Sequence, residues 1–249
     1  MNILQTASQK NIFNNESTWI DHWQQRVESR KNLKICNKCL LDANILGLVF
    51  DEQGICNYCR IQEDLERQYP GGQQGFKDLK EISEEIKHSS RNRPYDLVVG
   101  VSGGADSSYL LYLAKAVLGL RPLAVHFDNS WNSAIATENI KKVTNKLDID
   151  LFTHVVDHGE FDDSCKAFLR AGVTDLDIQT DLGLAATLFK AAEKFNVKYI
   201  FEGHSFRSEG IGPAGMYYMD SKYINSVQEQ FGTKKLKTLP HMWLSSQLK

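Results

Sequence analysis

The chain has 249 residues, of which 42% are hydrophobic and 24% charged, and its formal net charge is −2. That length suits one ordinary domain with a small one attached, and the near-neutral balance supplies no global basic field for nucleic acid. No apolar run approaches the roughly 18 residues that a membrane helix needs, so a soluble, cytoplasmic protein without a membrane span is expected.

Residues 1–33 are polar. Trp19 and Trp23, four apart, predict one side of a short docked helix and carry no chemistry. A small module follows over residues 34–69. Its two knuckles, Cys36-Asn37-Lys38-Cys39 and Cys56-Asn57-Tyr58-Cys59, have the spacing C-x2-C-x16-C-x2-C expected of a four-thiolate zinc site. Two disulfides or an iron–sulfur cluster are the alternatives. The first needs an oxidising compartment, yet Met1 is not followed by an apolar signal segment and Cys165 is left over. The second is less suited to paired knuckles than tetrahedral zinc. A zinc ion held by four thiolates has no open position, so its role is structural. Between the knuckles, Leu48-Val49-Phe50 and Ile55 flank Asp51-Glu52-Gln53-Gly54, the pattern of a hairpin. A charged helix is predicted over Ile61 to Gln68, and Pro70-Gly71-Gly72 then breaks the chain at a domain boundary.

The main domain is expected over residues 76–249. Phe76, Leu79, Ile82 and Ile86 mark an amphipathic helix. Strands are predicted at Leu97–Val101, Pro122–Phe127, Leu151–Val156 and Tyr199–Phe201. The intervening helices are Ser107–Leu118 (ended by Gly119), one carrying Ile140, Val143 and Leu147, Phe161–Ala171, and Leu182–Phe195. This alternation predicts an α/β fold with a doubly wound parallel sheet, the fourth strand lying beside the first. Ligands of such sheets bind beyond the strand C-termini, where the strand order reverses.

The segment after the first strand reads Ser102-Gly103-Gly104-Ala105-Asp106-Ser107-Ser108. The two glycines let backbone approach an anion closely, the following helix offers free N–H groups and its dipole, and three serines add hydroxyls. Asp106 would repel phosphate unless a cation lay between them, which points to magnesium and a polyphosphate. The lysine-bearing G-x4-G-K-[ST] loop is absent. The plainer alternative is a Gly-Gly turn with Asp106 capping a helix. Elsewhere, Gly203 and His204 follow the fourth strand; the histidine is either a phosphate donor and proton relay or a local hydrogen-bond partner. Asp181 reads first as a helix N-cap. Arg207 and Glu209 are polar groups on the same loop as His204. Cys165 reads as inert, and Lys234, Lys235 and Lys237 as a solvated face.

The Ser102–Ser108 loop resembles the pyrophosphate loop of the PP-loop ATP pyrophosphatases. Taken with Cys36–Cys59, His126-Phe127-Asp128-Asn129-Ser130-Trp131 and Glu202-Gly203-His204-Ser205-Phe206-Arg207-Ser208-Glu209-Gly210, the chain from Lys34 onward resembles the N-acetyl sugar amidotransferases. These belong to bacterial surface-polysaccharide (lipopolysaccharide) and nonulosonic-acid pathways, and they convert an acetamido to an acetamidino group. The resemblance implies ATP, Mg2+ and Zn2+ as cofactors, an acceptor N-acetyl sugar linked to a nucleotide or other carrier, and a glutaminase subunit supplying ammonia. It implies nucleotide binding by Val101, Ser102, Gly103, Gly104, Asp106, Ser107, Ser108, His126, Phe127, Asp128 and Gly203, with Phe127 flanking adenine or, alternatively, lying in the core. Asp106 would hold magnesium, and Asp106, Ser107 and His204 would act in the chemistry. Asp181, Arg207 and Glu209 would face the acceptor. Two departures are visible: Ala105 stands where the family often has lysine, and family members usually continue well past the equivalent of Pro240, so a chain ending at Lys249 is expected to be shortened. A PP-loop enzyme acting on tRNA, or a zinc-ribbon scaffold, are the rival readings; the first should show a basic face.

Overall fold

The computed structural model describes residues 16–30, 32–173, 175–213 and 220–240. The chain divides into two compact units, Met1–Glu63 and Asp64–Lys249, so the division falls a few residues before the Pro70-Gly71-Gly72 break.

In the first unit, α1 spans Glu16–Arg30. Both tryptophans lie on it, but Trp23 is 56% exposed, so the docked face expected at this position is not formed by Trp23. The cysteine module follows. Asp51 makes the expected hairpin turn: its N–H donates to Ile55 O at 2.9 Å, and its Oδ1 accepts from the N–H groups of Gln53 and Ile55, both at 2.9 Å. Gly54 takes φ +74 there. α2 runs over Asn57–Gln68 and begins four residues earlier than the charge pattern suggests, because the second knuckle leads directly into it.

In the second unit, α3 spans Gly72–Ser90. Then come β1 (Leu97–Gly100), α4 (Ala105–Tyr112), a π-helical turn over Leu113–Val117, β2 (Pro122–Asp128) and α5 (Ala134–Leu147). β3 (Leu151–Val155), α6 (His158–Ala171), α7 (Ile178–Lys194), β4 (Ile200–Phe201), the four-residue α8 (Phe206–Glu209) and α9 (Ser221–Phe231) complete it. The strands form one parallel sheet in the order β3-β2-β1-β4. Successive residues of β1 point to opposite faces. Leu97 and Val99 enter a core with Ile86, Leu111, Ala114 and Ile140, whereas Val98 joins Leu123, Val125, Leu188 and Ala191 on the α7 side. Two covered faces explain why β1 and β2 read as continuous apolar runs.

β1 pairs with β2 on one side and β4 on the other. The chain therefore leaves in opposite directions from neighbouring strand ends, and a crevice opens there.

After α9 the chain returns along α6, held by two buried carboxylates. Asp163 accepts from Thr233 N, Thr233 Oγ1, Lys234 N and Gln228 Nε2 at 2.6–2.8 Å. Glu160 accepts from the N–H groups of Thr238 and Leu239. Burial pushes the Asp163 carboxyl up, but these donors outweigh it and hold it well below the usual carboxylate range.

Candidate active site

The crevice is a cavity of about 220 Å³ beyond the C-terminal ends of β1 and β4, lined among others by Ser102, Asp106, Ser107, Gly203, His204 and Glu209. Two loops, one after β1 and one after β4, thus converge where the topology requires.

Gly103 sets the shape of the first loop. Its φ is +81, and a Cβ at this position would lie 2.2 Å from Ala136 O. Only glycine meets both conditions. The loop is pinned to α5 by Asn139 Nδ2 donating to Gly103 O at 3.1 Å. Gly104 occupies the N-cap of α4 without any side-chain cap, which leaves the first-turn N–H groups facing the crevice. Ser107 Oγ accepts from Ser102 N at 3.3 Å and lies 3.3 Å from Ser102 Oγ. Ser108 is turned back, its Oγ donating to Gly104 O at 2.7 Å. The result is a concave ring of N–H and O–H donors with the exposed Asp106 carboxylate at its edge. Helix α4 begins two residues before the predicted Ser107 because Gly104, in extended conformation, starts it.

Gly203 packs against this helix start, a Cβ there coming to 3.5 Å from Ser107 N. His204 Nε2 lies 3.3 Å from Glu202 Oε2, and both side chains are exposed to the crevice. Glu202 opens the segment that carries the resemblance, but nothing in the sequence singled it out as a site residue beside His204. The charged lining is otherwise acidic, with Asp106 and Glu209. Leu184 and Leu188 of α7 form an apolar floor.

Most other predicted residues serve the scaffold. Val101 lines the crevice as expected, and its O receives His126 Nδ1 at 2.8 Å, so the histidine ties β2 to the end of β1. Phe127 is a correction. Its ring is 6% exposed, stacks on His154 and presses on Gly183, where a Cβ would lie 2.6 Å from it. It belongs to the core and offers no stacking face. Asp128 Oδ1 accepts from Ser130 N and Asn132 Nδ2, both at 2.9 Å, and so builds the loop after β2. Asp181 does not cap α7: the helix starts at Ile178, with Asp177 at the N-cap position. Desolvation, then Asp177 and Asp175, push the Asp181 carboxyl above its ordinary value, against the pull of His204. Arg207 is also corrected. Its Nη2 donates to Tyr69 O at 2.7 Å and Glu66 O at 3.3 Å, closing the last turn of α2. Cys165 is buried beside Gln179 Nε2, and burial raises its thiol.

In the other unit the four knuckle sulfurs lie within 4.8 Å of one another, with Cys36–Cys59 at 3.8 Å and Cys39–Cys56 at 3.7 Å. A tetrahedral zinc with Zn–S bonds of about 2.3 Å requires sulfur separations of about 3.8 Å. All four are free cysteines, as a four-thiolate site requires. Burial pushes the Cys36 thiol up, but backbone N–H groups, including those of Lys38 and Cys56, bring it down to about 6. The donor set fits zinc.

No family model matches the chain. A 131-residue stretch, 52% of the chain, is 27% identical to an uncharacterised protein of Methanocaldococcus jannaschii, and this chain spans about half the length of that relative (46%). Among solved structures, the chain is similar to an NMN synthetase from Francisella tularensis (16% identity, 61% of this chain and 70% of that one, TM-score 0.37). It is also similar to an NH3-dependent NAD synthetase from Campylobacter jejuni (13% identity, 70% and 73%, TM-score 0.39). Similarities this distant carry no functional inference; the reading below rests on the site.

Proposed function

We propose that this protein is an ATP-dependent amidotransferase that converts the acetamido group of an N-acetyl sugar to an acetamidino group, releasing AMP and pyrophosphate. The observation that supports it is the donor ring of Ser102–Ser108, with Asp106 beside it, at the point where the strand order reverses. That ring suits a polyphosphate. Asp106 would hold magnesium, which when bound offsets the charge of a leaving pyrophosphate.

The chemistry is a two-step exchange. The acetamido oxygen attacks the α-phosphorus of ATP; a P–O bond forms and the bond to pyrophosphate breaks. Ammonia then adds to the activated carbon, and AMP departs with the former amide oxygen, leaving the amidine. The loop's N–H and hydroxyl donors hold the departing charge in place. His204, 3.3 Å from Glu202, would take the proton that the added ammonia sheds. Ammonia would come from a separate glutaminase subunit, since most free ammonia is protonated at neutral pH. The cysteine module would hold one structural zinc.

The test is mass spectrometry of nucleotide-linked N-acetyl sugars incubated with the protein, ATP, magnesium and an ammonium salt. The product expected is the sugar with one oxygen exchanged for NH. Turnover that is full in Asp106→Asn would contradict the reading.

A further inference from the structure

After α9 the chain reads Gly232-Thr233-Lys234-Lys235-Leu236-Lys237-Thr238-Leu239, with three lysines and no acid. Leu236 and Leu239 pack into the cluster of Phe127, Val156 and Phe161, which leaves Lys234, Lys235 and Lys237 exposed. A merely solvated lysine face has no reason to be rigid, yet this loop is pinned at both ends. Asp163 holds its start through the N–H groups of Thr233 and Lys234, and Glu160 holds its finish through those of Thr238 and Leu239. Thr238 Oγ1 also accepts from Asp157 N at 2.8 Å, and Thr238 O meets His154 Nε2 at 3.0 Å.

The three lysines line a cavity of about 470 Å³ together with Asp157, Glu160 and Thr238. The cations outnumber the acids, and both acids are already engaged. Glu160 is buried against backbone donors, and Asp157 Oδ1 caps α6 by accepting from Glu160 N at 2.8 Å. Among the described residues, none of the three lysines is in an ion pair. Like charges held together on a fixed backbone repel, and an anion among them removes that cost. Gly159 in the first turn of α6 makes room for one of them, since a Cβ there would lie 2.4 Å from Lys234 Nζ.

The cavity begins at Asp157, just beyond the C-terminal end of β3, the same end of the parallel sheet as the crevice. β3 lies two strands from β1, about 10 Å across the sheet. The crevice lining itself carries Asp106, Glu202 and Glu209 and neither lysine nor arginine. Arg207, the cation expected at the acceptor, is spent on the carbonyls of Tyr69 and Glu66. With the Ser102–Ser108 loop given to the phosphates of ATP, a second phosphorylated substrate must place its charge elsewhere at this end of the sheet.

We infer that Lys234, Lys235 and Lys237 bind the diphosphate of the acceptor's carrier, with the sugar lying between them and the crevice. This rests on the reading that the acceptor is an N-acetyl sugar borne on a phosphorylated carrier. A diphosphate suits the site better than a nucleic acid does: three lysines neutralise few phosphates, and a chain of net charge −2 supplies no wider basic field.

The experiment measures, by calorimetry, binding of UDP-N-acetylglucosamine to protein saturated with magnesium and α,β-methylene-ATP, which fills the donor loop and cannot release pyrophosphate. An exposed ion pair is worth about 1.5- to 5-fold in affinity. Lys234→Gln, Lys235→Gln and Lys237→Gln combined should therefore weaken binding about 3- to 125-fold and leave affinity for the ATP analogue unchanged. Lys198→Gln, just before β4 at the opposite end of the sheet, should alter neither. The same sugar diphosphate on a polyprenyl chain in micelles separates a nucleotide from a lipid carrier; the lysine dependence should appear with whichever carrier binds. Unchanged affinity for both carriers in the triple variant would overturn the assignment, as would an equal loss for the ATP analogue, or transfer-RNA binding that depends on the same lysines. A wild type that binds neither carrier would remove the acceptor reading and this inference together. A wild type that forms the amidine, beside a triple variant with the same KM for the sugar nucleotide, would overturn this inference alone.

Discussion

Replacing Gly103 with alanine separates shape from chemistry in the donor loop. Two costs add. An L-residue held at φ +81 gives up roughly 1–2 kcal/mol. The new Cβ would sit 2.2 Å from Ala136 O, and since that neighbour is backbone, the start of α5 must shift, at roughly 1–3 kcal/mol. Gly103→Ala should therefore destabilise the protein by about 2–5 kcal/mol. Gly104→Ala is the control. Gly104 has φ −78, and its nearest Cβ contact would be Ser102 Oγ at 3.4 Å, so the cost should be about 1 kcal/mol or less, the preference of an N-cap for glycine over alanine. Urea unfolding followed by far-ultraviolet circular dichroism, at fixed zinc, measures both. If the two variants prove equally stable, the close packing of Gly103 on α5 is wrong.

Cys39→Ser should lower bound zinc from one ion per chain to none by elemental analysis, and should expose backbone amides of residues 36–59 to hydrogen exchange, because metal binding supplies much of the folding free energy of so small a module; an iron chromophore would contradict the zinc assignment. Asp163→Asn should cost about 2–4 kcal/mol at neutral pH. The depressed Asp163 carboxyl adds stability that is fully present above the unfolded value of about 3.9 and is lost as pH falls through and below it, so the variant should show a shallower acid limb in a pH series of unfolding curves. Arg207→Ala should speed amide exchange around Tyr69 and cost about 1 kcal/mol while leaving the KM for the acceptor sugar unchanged; a rise in that KM would return Arg207 to the acceptor site.

Much of the fold was legible because its signals are local. Continuous apolar runs marked the strands buried on both faces, and β4 pairs with β1 as expected. The donor loop and the knuckles were legible because glycine and cysteine have few other reasons to stand in such patterns. What escaped depends on tertiary partners. Phe127 and Trp131 are both aromatics at the end of β2, and only the packing of Gly183 decides that the first is covered. Arg207 looks like a ligand-binding cation until the carbonyls of Glu66 and Tyr69, far away in sequence, arrive beneath it. Glu202 is one acid among many until the crevice places it 3.3 Å from His204.

The central claim, that the Ser102–Ser108 loop holds a pyrophosphate that leaves, is tested most directly by identifying the nucleotide products. With ATP, magnesium, an N-acetyl sugar nucleotide and ammonium at alkaline pH, the protein should form AMP and pyrophosphate in equal amounts, and Asp106→Asn should form neither at a comparable rate. Formation of ADP and phosphate instead would contradict the account.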